Sequence, residues 1–360
     1  MLMFATLTKQ GLCAAAVLTA FAIQPAQATD KLPNVVILAT GGTIAGTGAT
    51  STTTVGYTAA KIGVEKLIEA VPEMKKVANV KGEQVFQIAS ESMNNDHWLK
   101  LAKRVNELLK QSDVDGIVIT HGTDTIEETA YFLNLTVKSK KPVIIVGSMR
   151  PATAISADGP INLYNAVATA GSKDAVGRGV LVTLNDEIQA ARDVTKTNTM
   201  TANTFRSPEL GSLGYIVSGK PVFYRTSTRK NTADTEFDVS KLDKLPAVDI
   251  AYGSANANTL AIDAFAAAGD AGIVYAGTGN GSLANTVRPH LTELRKQGLQ
   301  IVRSSRVGNG PTIRNGENND DETDFVVADT LSPQKARILL MLALTKTRDS
   351  KEIQRMFYTY

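Results

Sequence analysis

Short apolar runs that end in glycine and threonine recur along this chain, and each is followed by a stretch with helical spacing. Val35-Val36-Ile37-Leu38-Ala39 is the first, and it runs directly into Thr40-Gly41-Gly42-Thr43. Five apolar residues without polar alternation suit a strand covered on both faces, as in a parallel sheet. Helical spacing follows in residues 63–73. The pair then repeats: strands at 85–88, 116–119, 142–146 and 179–184 alternate with helices at 98–109, 125–135 and 161–169. That order is the signature of a doubly wound, mostly parallel α/β sheet.

The pattern lapses between Arg225 and Pro246, where Thr226-Ser227-Thr228-Arg229-Lys230-Asn231-Thr232 is polar and the segment reads as a linker. Alternation resumes with strands expected at 248–252, 273–275, 301–302 and 325–327, and helices at 260–268, 283–296 and 333–344. The expected fold is therefore two-domain α/β. A large N-terminal doubly wound, mostly parallel sheet (29–224) is followed by the linker (225–246) and a smaller C-terminal α/β domain (247–360). A length of 360 residues allows this, at ~150 residues per domain.

Residues 1–28 stand outside that pattern. They carry one positive charge, Lys9, then an apolar run from Gly11 to Ile23, and end in Ala26-Gln27-Ala28. This is the layout of a secretory signal peptide with an A-x-A cleavage site, and the run is too short for a permanent span. Cleavage would remove Cys13, the one cysteine, leaving a mature chain suited to an oxidising periplasm and free of the membrane. A lone cysteine excludes a disulfide framework, and His97, His121 and His290 are not paired at metal-ligand spacing, so no metal is expected. Net charge is only +3 and no basic run of five occurs, so nothing points to nucleic acid.

Ligands of open α/β sheets bind beyond the carboxyl ends of the strands. Three loops have that position: 40–43, 120–124 and 277–282. None is a phosphate cradle, because no GxxxxGK[ST] or G-x-G-x-x-G spacing is present. Thr43 and Thr123 each follow a glycine at a strand end, where a hydroxyl can face a ligand. A hydroxyl nucleophile needs activation. There is no G-x-S-x-G elbow, and Thr43 lies too far from the leader cleavage site to use its own amine. A lysine or tyrosine partner remains. Lys196, in the polar stretch Asp193-Val194-Thr195-Lys196-Thr197-Asn198, is the candidate lysine. Among the neighbours, Thr125-x-x-Glu128 has the spacing of a capping box, His121 reads as a packed loop histidine and Trp98 as core.

The stretches Ile37–Gly46 and Ile119–Thr129 resemble the two signatures of the bacterial L-asparaginase family, and the leader makes the chain similar to its periplasmic type II branch. The resemblance continues through Met149–Thr153, Ser156–Pro160, Asp193–Asn198, Arg303–Arg306 and Pro333–Arg337. It implies a two-domain amidohydrolase acting on asparagine, glutamine or both, with no metal or organic cofactor. Thr43 matches the family's nucleophile and Tyr57 the tyrosine that closes over it. Thr123, Asp124 and Lys196 match a second cluster, which also touches substrate through Thr123 and Asp124. Ser90 matches the serine on the substrate carboxylate, and Glu91, Asp124 and Glu317 fall where side chains hold the ammonium. Ser282 and Glu317 would arrive from a neighbouring subunit, implying intimate dimers paired into a homotetramer. Glu91 and Ser282 stand where asparagine-selective members carry Gln and Asn, which resembles the glutaminase-asparaginase subgroup. An asparagine-selective enzyme and a periplasmic amino-acid-binding protein are the alternatives. Either Tyr57 or the Thr123–Lys196–Asp124 cluster is available to take the proton from Thr43.

Overall fold

The computed structural model describes residues 31–360; the expected leader lies outside them. The chain opens with β1 (Asn34–Gly41), buried along almost its whole length. Its side chains alternate between two cores. Val36 and Leu38 join one, with Trp98, Leu101, Val105 and Phe132; Val35, Ile37 and Ala39 join the other, with Val64, Leu67, Leu163 and Val167. Helices therefore cover both faces: α1 (Val64–Glu69) and α4 (Gly159–Ala170) on one, α2 (Asn95–Leu109) and α3 (Ile126–Thr136) on the other. Each fully buried Leu or Ile contributes ~1.5–3 kcal/mol, which explains why a strand with no polar face is stable here.

The remaining strands of this region are β2 (Asn79–Ile88), β3 (Gly116–Thr120), β4 (Val143–Val146), β5 (Val180–Leu184), β6 (Glu187–Ala190), β7 (Thr195–Lys196), β8 (Phe205–Arg206), β9 (Gly214–Val217) and β10 (Lys220–Phe223). The sheet order is β10-β9-β6-β5-β4-β3-β1-β2. Strands β2, β1, β3, β4 and β5 pair in parallel; β6, β9 and β10 extend the edge antiparallel. Strands β7 and β8 form a separate small hairpin. Sequence periodicity does not expose β6 to β10, because strands of two to four residues are too short to establish a period.

A second, smaller, all-parallel sheet is built from β11 (Val248–Tyr252), β12 (Gly272–Gly277), β13 (Gln300–Ser305) and β14 (Val326–Val327), in that order. Helices α5 (Leu260–Ala268) and α6 (Arg288–Lys296) pack on one face, and α7 (Asp320–Thr323) precedes β14. Helix α8 (Pro333–Leu344) packs against β11, β12 and β13 and also against α3. Its run from Ile338 to Ala343 is buried on every side, so its apolar residues weld both sheets into one core. Helix α9 (Ser350–Thr359) closes the chain, capped by Asp349, whose side chain accepts from the Lys351 N–H.

One expected helix needs correction, and one observed helix was not expected. The helix expected over 283–296 begins at Arg288, with Pro289 in its first turn, and Ser282 is held instead in a bridge with Thr278. Helix α9 has no counterpart in the sequence reading. The 225–246 segment contains a single 3-10 turn, Thr232–Asp234, yet it is anchored through buried Thr235, Phe237, Val239 and Leu245.

Candidate active site

In the order β2-β1-β3-β4-β5 the chain reverses direction across the sheet between β1 and β3. That switch point opens a crevice at the carboxyl ends of the two strands. The loop after β1 carries Thr43, and the loop after β3 carries Thr123 and Asp124. Gly41 and Gly42 turn the chain there with φ of 111° and 82°, in the region that favours glycine. A Cβ on Gly42 would lie 2.3 Å from the Gly122 Cα, and one on Gly122 would lie 2.4 Å from Ser90 Oγ. Both glycines thus exist for close approach, and they bring three loops into contact. Ser90 is buried in that contact; its Oγ accepts from the Asp124 N–H at 3.2 Å, and its carbonyl from the Thr125 hydroxyl at 2.8 Å.

Thr43 starts a single 3-10 turn, Thr43–Ala45, closed by the Gly46 N–H on the Thr43 carbonyl at 2.8 Å. The following loop folds back through a bridge between Thr47 and Thr58. It is tied to the 150s by Ala152 N–H to Gly46 O at 3.0 Å and Ile155 N–H to Ser51 O at 2.8 Å. This arrangement brings the Tyr57 hydroxyl to 2.7 Å from Thr43 Oγ1. Across the crevice, the β7–β8 hairpin delivers Lys196. Its Nζ donates to Thr123 Oγ1 at 3.0 Å and to Asp124 Oδ1 at 2.7 Å. Thr43 and Thr123 are buried, whereas the Asp124 side chain is 58% exposed and faces the opening. The crevice holds about 530 Å³ and is lined by Thr43, Tyr57, Ser90, Glu91, Gly122 and Asp124. The Thr43–Tyr57 hydroxyl pair thus shares one cleft with two carboxylates, and the Thr123–Lys196 contact adjoins it through Asp124.

The N-terminal asparaginase family model matches residues 34–229, and the glutaminase/asparaginase C-terminal domain model matches residues 247–357. The glutaminase-asparaginase of Pseudomonas fluorescens biotype A is 60% identical over 331 residues, 92% of this chain and 91% of that protein. A probable periplasmic L-asparaginase of Haemophilus influenzae is 53% identical over 98% of this chain and 99% of its own length. The crystal structure of a probable cytoplasmic L-asparaginase from Campylobacter jejuni superposes with a TM-score of 0.89, at 50% identity, over 91% of this chain and all of that one.

The chain belongs to the asparaginase family.

In this asparaginase-family hydrolase the remaining expected site residues lie elsewhere. Ser282 follows β12 and Glu317 precedes α7; the Ser282 hydroxyl donates to the Glu317 carboxylate, and neither lines the Thr43 cleft of its own chain. Beneath them sits Arg303, wholly buried on β13. It grips Asp320 through two bonds of 2.6 and 2.7 Å and donates to the carbonyls of Gly281 and Ile313 at 2.9 and 3.2 Å.

The capping box at Thr125 does not form. No side-chain cap is made there, since the Thr125 hydroxyl is committed to Ser90. Glu128 instead lines an adjacent cleft with Arg337, and burial, then the charge of Glu127, raises its carboxyl to about 7. Trp98 is core, stacked on Phe132 with its Nε1 bonded to Thr129, and His121 is a fully buried, hydrogen-bonded loop histidine.

Sequence reasoning assigned no role to Lys335, which is buried on α8. It donates to the carbonyls of Arg192 and Val194, two residues ahead of Lys196, and burial lowers its ammonium to about 8. A lone lysine just before the apolar run Ile338–Leu342 was the available signal. Among the described residues no helix is long and apolar enough to cross a membrane.

Proposed function

We propose that the protein is a glutaminase-asparaginase that releases ammonia from L-glutamine and L-asparagine through an acyl ester on Thr43. The observation that carries this reading is the 2.7 Å contact between Thr43 Oγ1 and the Tyr57 hydroxyl, in a cleft also lined by Asp124, the partner of Lys196. Ser90 and loop N–H groups suit the substrate's α-carboxylate, and Glu91 and Asp124 its α-ammonium. Fixing both ends orients the side-chain amide against Thr43. Thr43 Oγ1 attacks the amide carbon. Its proton passes through the Tyr57 hydroxyl to the departing nitrogen, which leaves as ammonia. Water then adds to the ester with Thr123 and Lys196 positioned beside it, returning a proton to Thr43 and freeing glutamate or aspartate. The backbone N–H of Thr123 stabilises the oxyanion in both steps. No step calls for a metal or organic cofactor.

Glu317 and Ser282 complete the ammonium site of a neighbouring subunit in a homotetramer of intimate dimers. Their pairing away from the cleft of their own chain supports this. The leader, together with a relative of periplasmic name that matches 98% of the chain, supports a periplasmic location.

Glutamine is one methylene longer than asparagine, a difference worth only ~1–3 kcal/mol in a pocket. Glu91 keeps a full charge on the ammonium, and Ser282 leaves the neighbour's wall loose. Side-by-side ammonia release should give kcat/KM values within about tenfold for the two amides, under ~1.4 kcal/mol. A preference for asparagine above a hundredfold would overturn the dual specificity, and no release from either amide would overturn the activity.

A further inference from the structure

A second cleft, of about 440 Å³, is lined by Met93, Asn95, Trp98, Thr125, Glu128 and Arg337. It adjoins the Thr43 cleft through the Ser90 turn. The Ser90 carbonyl accepts from the Met93 N–H at 3.1 Å and from the Thr125 hydroxyl at 2.8 Å, and both of those residues line the second cleft. Ser90 itself lines the first. The two clefts therefore share that turn as a wall, and filling one bears on the other.

Opposite charges face the second cleft without meeting. Glu128 comes from α3 and Arg337 from α8. Arg337 commits one donor, its Nε–H, to the Val248 carbonyl at 2.7 Å. Among the described residues its two terminal nitrogens and the Glu128 carboxylate have no hydrogen-bond or ion-pair partner, and none of these atoms is shut away from the opening. A cation and an anion held in this way leave room for a ligand that carries both charges itself. An α-amino acid does: its carboxylate matches the guanidinium fork, and its ammonium matches the Glu128 carboxylate. Met93 and Trp98 offer apolar wall to side-chain methylenes. Asn95, which has no hydrogen-bond partner among the described residues, offers the donor and acceptor that a side-chain amide needs.

The balance of charge selects among amino acids. Asp96 also lines the cleft, so two carboxylates stand against one guanidinium, and a ligand with a net negative charge is disfavoured. Burial and the charge of Glu127 raise the Glu128 carboxyl to about 7, with Arg337 and Lys335 opposing, so at pH 8 the carboxylate form prevails.

We propose that this cleft is a second binding site, for a neutral α-amino acid of the glutamine type, with its carboxylate on Arg337 and its ammonium on Glu128. The choice of glutamine rests on the amidohydrolase reading above; a site for a zwitterion does not.

Trp98 is the one tryptophan of the chain, so its emission reports on this cleft. Calorimetric titration of the Thr43→Ala enzyme with L-glutamine at pH 8 should count a second ligand per chain, and Trp98 emission should change as that ligand binds. Adding Glu128→Gln should weaken the second class of site by ~10–100-fold, as for loss of a hydrogen bond to a charged group, and leave the first class in place. Arg337→Gln should do the same; if it fails to fold, Glu128→Gln, which keeps the side-chain shape, decides alone. L-Glutamate should bind the second site more weakly than glutamine. One ligand per chain, a second ligand that leaves Trp98 emission unchanged, or a second class unmoved by Glu128→Gln would each overturn the proposal. Tighter binding of glutamate than of glutamine would overturn the assignment to a neutral ligand. Wild-type protein that releases no ammonia would defeat the activity reading, while the count of bound ligand would still decide the second site.

Discussion

At the end of β1, Thr43 and Tyr57 meet on a loop held by backbone hydrogen bonds and by glycine contacts with no room for a side chain. At the end of β12, Ser282 and Glu317 meet above the wholly buried guanidinium of Arg303, which is locked to Asp320 and to the carbonyls of the same arm. The first region is shaped by covalent geometry and close packing, so its hydroxyls can be removed without undoing the loop. The second is shaped by an ion pair taken out of water. Such a pair fixes conformation well but leaves an uncompensated charge if either member is lost. Chemistry and scaffolding are therefore separable at Thr43 and inseparable at Arg303.

The sharpest way to break that contrast is Arg303→Leu. Stranding the Asp320 carboxylate should cost ~3–5 kcal/mol in urea unfolding. A loss below ~1 kcal/mol would mean that the arm does not depend on the pair.

A second experiment asks whether the arm serves its own chain. Thr43→Ala and Glu317→Ala enzymes should each be nearly inactive, but subunits mixed during refolding should recover activity. The recovered sites would combine an intact Thr43 with a neighbour's intact Glu317. Verified mixed oligomers without activity would assign Glu317 to its own cleft.

The smallest effect is at Glu128, beside the Ser90 loop. Its folded carboxyl titrates near 7, above the ordinary value of 4.5, because burial and Glu127 outweigh Arg337 and Lys335. Between those values the unfolded chain has released a proton that the folded chain keeps. Stability from this group therefore falls as pH rises from about 4.5 to 7 and is level above. Glu128→Gln should remove that slope, a change on the order of 3 kcal/mol in unfolding measured across the window. An unchanged slope would place the titration elsewhere.

Much of this architecture was legible from the residues. Unbroken apolar runs such as Val35–Ala39 suit doubly covered strands, and the order of strands and helices then implies the sheet and its ligand crevice. The Gly-Thr pairs marked the two hydroxyl loops, and the structure brings Thr43, Tyr57, Ser90, Glu91 and Asp124 to one cleft, with Thr123 and Lys196 at its edge. What stayed hidden depends on contacts distant in the chain. The Thr125–Glu128 spacing predicted a local cap, but Ser90, 35 residues away, captured the hydroxyl. Arg303 and Lys335 look like surface cations until their partners, Asp320 and the carbonyls of Arg192 and Val194, are placed around them. No periodicity reports such pairings, because they arise only once the sheets have closed on α8.

The central claim is that Thr43 carries the acyl group, and acid quench during turnover of isotopically labelled glutamine tests it most directly. The predicted result is a labelled glutamyl ester on the peptide containing Thr43. Thr43→Ala should carry none and should lose about 10³-fold or more in turnover while keeping its unfolding midpoint. An ester on the Thr123 peptide, or a folded Thr43→Ala enzyme that still releases ammonia near the wild-type rate, would contradict the account.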